Sequence, residues 1–312
     1  MKNKKWICLA ITAVSFFSKH ASAQFISLVT CDEFKSKPAF YSLDQAYQEP
    51  GNVYHLNLRQ TDIKKLDSSI GRLYNLQYAN IMKNSIDSVP TSIGALLELR
   101  YLTLKQNKLV YLPEEFSRLI KLEELELETN MLRQLPESFG DLTSLRYLDV
   151  SNNQLTFLPK SFSKLHNMVI LELDRNKISH FPEEVVKLSR LEVLRFTGNE
   201  LHEISPLIRK LKNLESLHLD NNKIKQLPSS IGKLSKLKVL NLASNELTTL
   251  PDALTNLANL EILILTNNSL TMLPEDISKL SKLTSLILIG NKFSEEEKER
   301  IIQALPHTDI RF

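Results

Sequence analysis

One residue at one spacing limits what this chain can fold into. Asn84, Asn107, Asn130, Asn153, Asn176, Asn199, Asn222, Asn245, Asn268 and Asn291 recur every 23 residues without an insertion or deletion. Around each, apolar residues stand 8, 5 and 3 positions before the asparagine and 2 and 5 after it, most clearly in LEELELETNMLRQLP (122–136). In most units a proline follows at +6. One step further back Thr61 takes the asparagine's place, inside an intact frame of Val53, Leu56, Leu58, Ile63 and Leu66. That makes eleven units, the first degenerate. A period of this length denotes stacked units, because one unit cannot bury its apolar face alone. The 312 residues would suggest two globules by length; the repeat makes them one quasi-one-dimensional solenoid.

Each unit has two halves. The first, such as LRYLDVSNN (145–153), alternates around Leu148 and Val150 and predicts a short strand. One strand per unit, always running the same way, builds a parallel sheet. The second, such as LPESFGDL (135–142), opens on proline and stays apolar at Phe139 and Leu142, a spacing that suits one helical or 3₁₀ turn. Proline there presets φ at the start of the turn and lacks a donor that would go unpaired. Ser205 replaces that proline in one unit and Pro206 follows, which predicts a local change of the outer loop. The asparagines read as structural: the chain bends into the core after each strand, and one amide supplies both acceptor and donors to the freed backbone groups. The ten form a ladder.

The frame LxxLxLxxNxLxxLPxxΦxxL over residues 53–293 resembles the leucine-rich repeat family. The likeness extends to bacterial secreted members and to Ras-binding scaffolds. It implies an α/β solenoid of about eleven turns, with a curved parallel sheet on the concave face and short helical or 3₁₀ turns on the convex face. It also implies binding through the concave sheet. Residues 24–52 then form an N-terminal cap with a helix in FYSLDQAYQEPGN (40–52), and 294–312 a C-terminal cap. Ser294 and Glu297 open the C-terminal helix as a capping box, Ile301, Ile302 and Leu305 give its apolar face, and DIRF (309–312) adds a last strand. The array is expected to end there without a catalytic domain.

Residues 1–23 carry Lys2, Lys4 and Lys5, an apolar stretch from Trp6 to Phe17, and Ala21-Ser22-Ala23. This is the layout of a cleaved signal peptide, too short for a bilayer, which takes about 20 apolar residues. No other long apolar run offers a transmembrane segment. The formal net charge is +3, but Lys2, Lys4, Lys5 and Lys19 precede the expected cleavage and no acid does, so the mature chain from Gln24 carries −1. The basic footprint of a nucleic-acid binder is thereby lost. Cleavage leaves Cys31 as the one cysteine, which excludes an internal disulfide and a paired-cysteine metal site. The histidines are scattered without HxxxH or HExxH spacing, there is no glycine-rich phosphate loop, and no nucleophile motif occurs. No enzyme activity, cofactor or metal is expected.

Function is therefore expected on the variable residues of the strands. The first repeats present Tyr78, Tyr101 and Lys105, a basic end with tyrosines. The middle presents Glu124, Glu126, Glu128, Tyr147 and Asp149, then Glu172 and Asp174. Arg195 and His218 follow in a mixed region, and Ile262, Ile264, Ile287 and Ile289 end the series, expected beneath the C-terminal cap. Tyr and Arg favour interface hot spots, and charge sets specificity. The acidic run reads equally as a solvated strand face. The expected protein is a secreted or periplasmic monomer that binds a protein ligand. The alternative is a structural envelope or adhesion protein without one defined ligand. Charge reversal at Glu126 or Asp149 is expected to separate them.

Overall fold

The computed structural model describes residues 37–312. The expected signal peptide, its expected cleavage before Gln24, and Cys31 lie outside the described residues. Thirteen strands form one curved parallel sheet, each hydrogen-bonded to the next in chain order. They are β1 (Ala39–Phe40), β2 (His55–Asn57), β3 (Tyr78–Asn80), β4 (Tyr101–Thr103), β5 (Glu124–Glu126), β6 (Tyr147–Asp149) and β7 (Ile170–Glu172), followed by β8 (Val193–Arg195), β9 (Ser216–His218), β10 (Val239–Asn241), β11 (Ile262–Ile264), β12 (Ser285–Ile287) and β13 (Asp309–Arg311). β2 to β12 are the eleven repeat strands. β1, which the short Ala39-Phe40 pair does not announce, adds a strand ahead of them by pairing with β2.

The register is uniform. Leu125, Leu148 and Leu171 are partners on successive strands, so the apolar frame stacks like on like. All three are fully buried. Behind them lie Phe116, Phe139 and Phe162, also without exposure, and the last two rings stack at 6.0 Å. A fully buried side chain of this kind contributes roughly 1.5–3 kcal/mol, and repetition makes the core continuous.

The convex segments are 3₁₀ rather than α-helical throughout, three to five residues each, such as Thr91–Ala95 and Ser229–Lys233. In five-residue turns such as Thr91–Ala95 the proline is the residue before the turn, with Pro90 at φ −71° and ψ 153°, whereas Pro206 is the first member of its own. The repeat containing Ser205 keeps a five-residue segment, Pro206–Lys210, so the expected loop change reduces to the cap. Ser205 Oγ accepts from Leu207 N at 3.2 Å and donates to Glu183 Oε1 at 2.9 Å. Gly140 lies so close to the next convex segment that a Cβ would overlap the Ser161 carbonyl oxygen. Close approach of neighbouring turns requires glycine there.

Helices close the ends. α1 (Leu43–Gln48) starts at Ser42, whose hydroxyl accepts from Gln45 N, and turns Ala46 into the core. α2 (Glu295–Ala304) starts at Ser294, whose hydroxyl accepts from Glu297 N at 3.2 Å. The Glu297 carboxylate does not return to the cap, as a capping box requires. It accepts from Leu273 N at 2.9 Å and from Arg300 at 2.7 Å, which fastens α2 to the last turns. Among the described residues no helix is long and apolar enough to cross a membrane.

Candidate functional site

The bend after each strand positions the concave face, so the site begins at the asparagines. Asn107 Nδ2 donates to Leu104 O of its own repeat at 2.8 Å and to Ile81 O of the preceding one at 3.0 Å. Its Oδ1 accepts from Ile86 N of the preceding repeat at 3.1 Å. Asn130, Asn153, Asn176, Asn199, Asn222, Asn245 and Asn268 repeat the three contacts and are buried, and Asn291 repeats them near the end. Asn84 reaches Ile81 O, Leu58 O and Ile63 N in the same way. Thr61 carries a hydroxyl that donates to Leu58 O at 2.9 Å, one of the bonds an amide would make.

The residue before each ladder position is left-handed. φ is +58° at Lys83, +57° at Thr129, +51° at Arg175 and +68° at Gly198. A β-branched residue is a rare occupant of that region. Sequence reasoning placed these residues on the face but missed the backbone; the glycines at 198 and 290 were the available signal.

Parallel pairing in register aligns the variable positions in rows. One row runs His55, Tyr78, Tyr101, Glu124, Tyr147. His55 meets Tyr78 edge-on at 4.6 Å, and Tyr78 stacks on Tyr101 at 4.4 Å with planes 6° apart. The adjacent row runs Thr103, Glu126, Asp149, Glu172, Arg195, His218. Three carboxylates thus stand on three consecutive strands, which are separated by about 4.8 Å in any sheet.

Not all the expected contact residues are accessible. Glu124 and Glu126 are each 5% exposed and Asp149 4%, where the sequence predicted solvent-facing acids. The concave side of a curved sheet crowds its rows, and neighbouring side chains cover these three. Glu128, Glu172 and Tyr147 are partly open. The Glu126 and Asp149 reversals are therefore not clean tests of binding, because each would bury a mismatched charge.

Hydrogen bonds link the acids. Lys105 Nζ lies 3.5 Å from both Glu126 and Glu128. Asp149 accepts from Ser151 N at 2.9 Å. The Tyr147 hydroxyl donates to Glu172 at 3.4 Å. Arg195 Nε donates to Asp174 at 2.8 Å and stands 3.9 Å from Glu172, and Asp174 also accepts from Thr197 N. Burial, then the neighbouring Asp149, pushes Glu172 up to about 8. Burial pushes Asp149 up to about 6, against the hydrogen bonds from Ser151. Burial raises Asp174 also, opposed by Arg195. His218 is pushed down to about 3 by burial and by Arg195, so it stays neutral. Burial would lower Lys105, yet Glu126 and Glu128 hold it above its ordinary value. Among the described residues no cluster of His, Cys, Asp and Glu has the arrangement of a metal site.

The terminal isoleucines are not covered, contrary to expectation. β13 extends the sheet edge by one strand, and α2 packs behind it against Ile277–Lys279. Ile262, Ile264, Ile287 and Ile289 line an open depression of about 250 Å³, bordered by Arg311, and Ile289 is 45% exposed.

A family model described as leucine-rich repeat region matches residues 137–215 and 193–308, and a second, leucine rich repeat, matches 110–155. Together they span more than half of the chain. No curated protein matches. A plant peptide hormone receptor, RGFR1, solved in complex with RGF2, is 30% identical over 85% of this chain and 45% of its own, with a TM-score of 0.73. The functional domain of InlJ from Listeria monocytogenes, which includes a cysteine ladder, is 27% identical over 79% of this chain and 51% of its own, at 0.67. An internalin, InlF, from the same organism shares the fold at 24% identity and 0.68, over 93% and 91%. The chain spans about half the length of the receptor and of InlJ.

Proposed function

Because this chain belongs to the leucine-rich repeat family, we propose that it is a non-enzymatic protein-binding module whose concave sheet receives a protein partner. One observation carries the reading: an aromatic row and an adjoining carboxylate row are held in register across consecutive strands. Stacked Tyr78 and Tyr101 offer large rigid contact surface, and Glu128 and Asp174 offer partly desolvated carboxylates beside it. Charges of that kind are worth more to an incoming cation than the same groups in water. The partner they fit presents a basic segment. The similarity to a peptide hormone receptor solved with RGF2 supports a role in recognition. Export through residues 1–23, to the periplasm or beyond, belongs to the same reading.

A second reading, a structural envelope or adhesion protein, is favoured by one feature. Lys105 and Arg195 already neutralise part of the acidic row from within. A pull-down with the exported protein, its N-terminus sequenced, separates the two. The binding module begins at Gln24 and retains a partner that Glu128→Lys loses while the melting temperature holds. A partner indifferent to Glu128→Lys and to Asp174→Asn establishes the structural reading.

A further inference from the structure

Three consecutive repeats carry the opposite charge on the convex side. Lys187 and Arg190 in one repeat, Arg209, Lys210 and Lys212 in the next, and Lys233 and Lys236 in the third are all exposed. They occupy the convex segments Val185–Lys187, Pro206–Lys210 and Ser229–Lys233 and the turns after them. No acid occurs in residues 185–190, 206–213 or 229–236. Glu183 and Glu184 precede the first segment, and Glu192 and Glu215 lie toward the sheet, where Lys238 takes Glu215 at 2.7 Å.

Three cations at equivalent positions of other repeats are paired. Lys121 meets Glu98 at 2.7 Å, Lys164 meets Asp141 at 2.8 Å, and Lys279 meets Asp276. Among the described residues, none of the seven makes an ion pair. Two are held by neutral groups that position them and leave their charge whole: Arg190 donates to Asn167 Oδ1 and Lys236 to Asn213 Oδ1, both at 2.8 Å. Arg209, Lys210, Lys212 and Lys233, with Ser235, line an open depression of about 530 Å³. Seven uncompensated cations on three consecutive repeats repel one another, in a chain whose net charge without residues 1–23 is −1. A polyanion removes that repulsion.

Shape selects among polyanions. The rail follows a convex arc, with two or three cations on each repeat. A flat membrane meets such an arc only along a tangent, and so does a rigid duplex. A single-stranded nucleic acid needs aromatic platforms for its bases, and no aromatic side chain is exposed along these segments. A flexible linear chain with charges at regular intervals can follow the arc. We propose that this convex rail docks a linear anionic polysaccharide carrying sulfate or carboxylate groups, independently of the concave face.

The test uses the full exported chain with fluorescent heparin and fluorescent polygalacturonate as probes, at low and high salt. One variant carries Arg209→Glu, Lys210→Glu and Lys233→Glu. A second carries Lys121→Glu, Lys164→Glu and Lys279→Glu, the same change in net charge at the paired positions. The wild type should bind at least one probe in a salt-sensitive way, the first variant should lose about tenfold or more, and the second less than about twofold, since only local unscreened charge steers the contact. Unchanged melting of the first variant shows that the loss is not unfolding. Absence of binding to both probes overturns the proposal, as does equal weakening by both variants. Tighter binding to anionic phosphatidylglycerol vesicles or to single-stranded DNA than to either polysaccharide overturns it too.

Discussion

At Asn176 one side chain satisfies four backbone groups. Its amide nitrogen donates to Leu173 O, Val150 O and Asp174 O, and its carbonyl accepts from Leu155 N. Asn176 is buried, and an unsatisfied buried polar group costs about 1–3 kcal/mol. Asn176→Leu, which preserves bulk, should therefore destabilise the protein by on the order of 3–5 kcal/mol. Denaturant unfolding measures it, and an unchanged midpoint would remove the buried amide from the explanation. Thr129 and Arg175 show the opposite balance. Each holds a left-handed backbone beside the ladder at a cost of roughly 1–2 kcal/mol, which the surrounding hydrogen bonds offset. The asparagines were legible because ten identical residues at one spacing need one explanation. The left-handed positions were not, because seven different residue types fill eleven places.

In the strands, three residues of β5, β6 or β7 place one side chain inward and two on the concave face. Two-residue alternation made this division readable, and Leu148 between Tyr147 and Asp149 illustrates it. Exposure along the row was not readable, since it depends on strands a full repeat away. Glu172 shows the consequence. Its carboxyl is raised from 4.5 to about 8, so between those values the folded chain holds a proton that the unfolded chain releases. That contribution is complete below about pH 4.5 and is lost as pH rises through about 8. Asp149 acts with the same sign up to about 6. His218, depressed from 6.5 to about 3, acts with the opposite sign between those values. Above pH 6.5 the Glu172 slope is left. The melting temperature should fall between about pH 6.5 and about pH 8.5, and Glu172→Gln should flatten the curve and raise its alkaline end. A wild-type curve already flat across that window would contradict the burial of this carboxyl.

As a whole, the molecule is a stack in which each repeat touches its neighbours, and its stability follows as a sum over units and interfaces. Deleting residues 223–245 joins Asn222 to Glu246 and keeps every apolar position in phase. The shortened chain should retain its circular-dichroism signal per residue and unfold cooperatively. Deleting only 223–234 puts the frame out of phase and should abolish both. Equal tolerance of the two deletions would mean that the period does not set the packing. The ends follow different rules from the middle. β1 and the course of Glu297 depend on contacts with the first and last repeats, so neither is visible in a local pattern.

The sequence by itself determined the repeat, the parallel order, the register and the buried frame. Each depends on residues a constant 23 positions apart, and a strict period transmits a local pattern through the stack unchanged. Only the tertiary structure decided which concave residues meet water. Curvature brings the rows of Glu124, Glu126 and Asp149 under their neighbours while leaving Ile289 and the convex lysines open. Curvature arises from the difference in width between strands and 3₁₀ turns summed over many repeats, and no single repeat contains it.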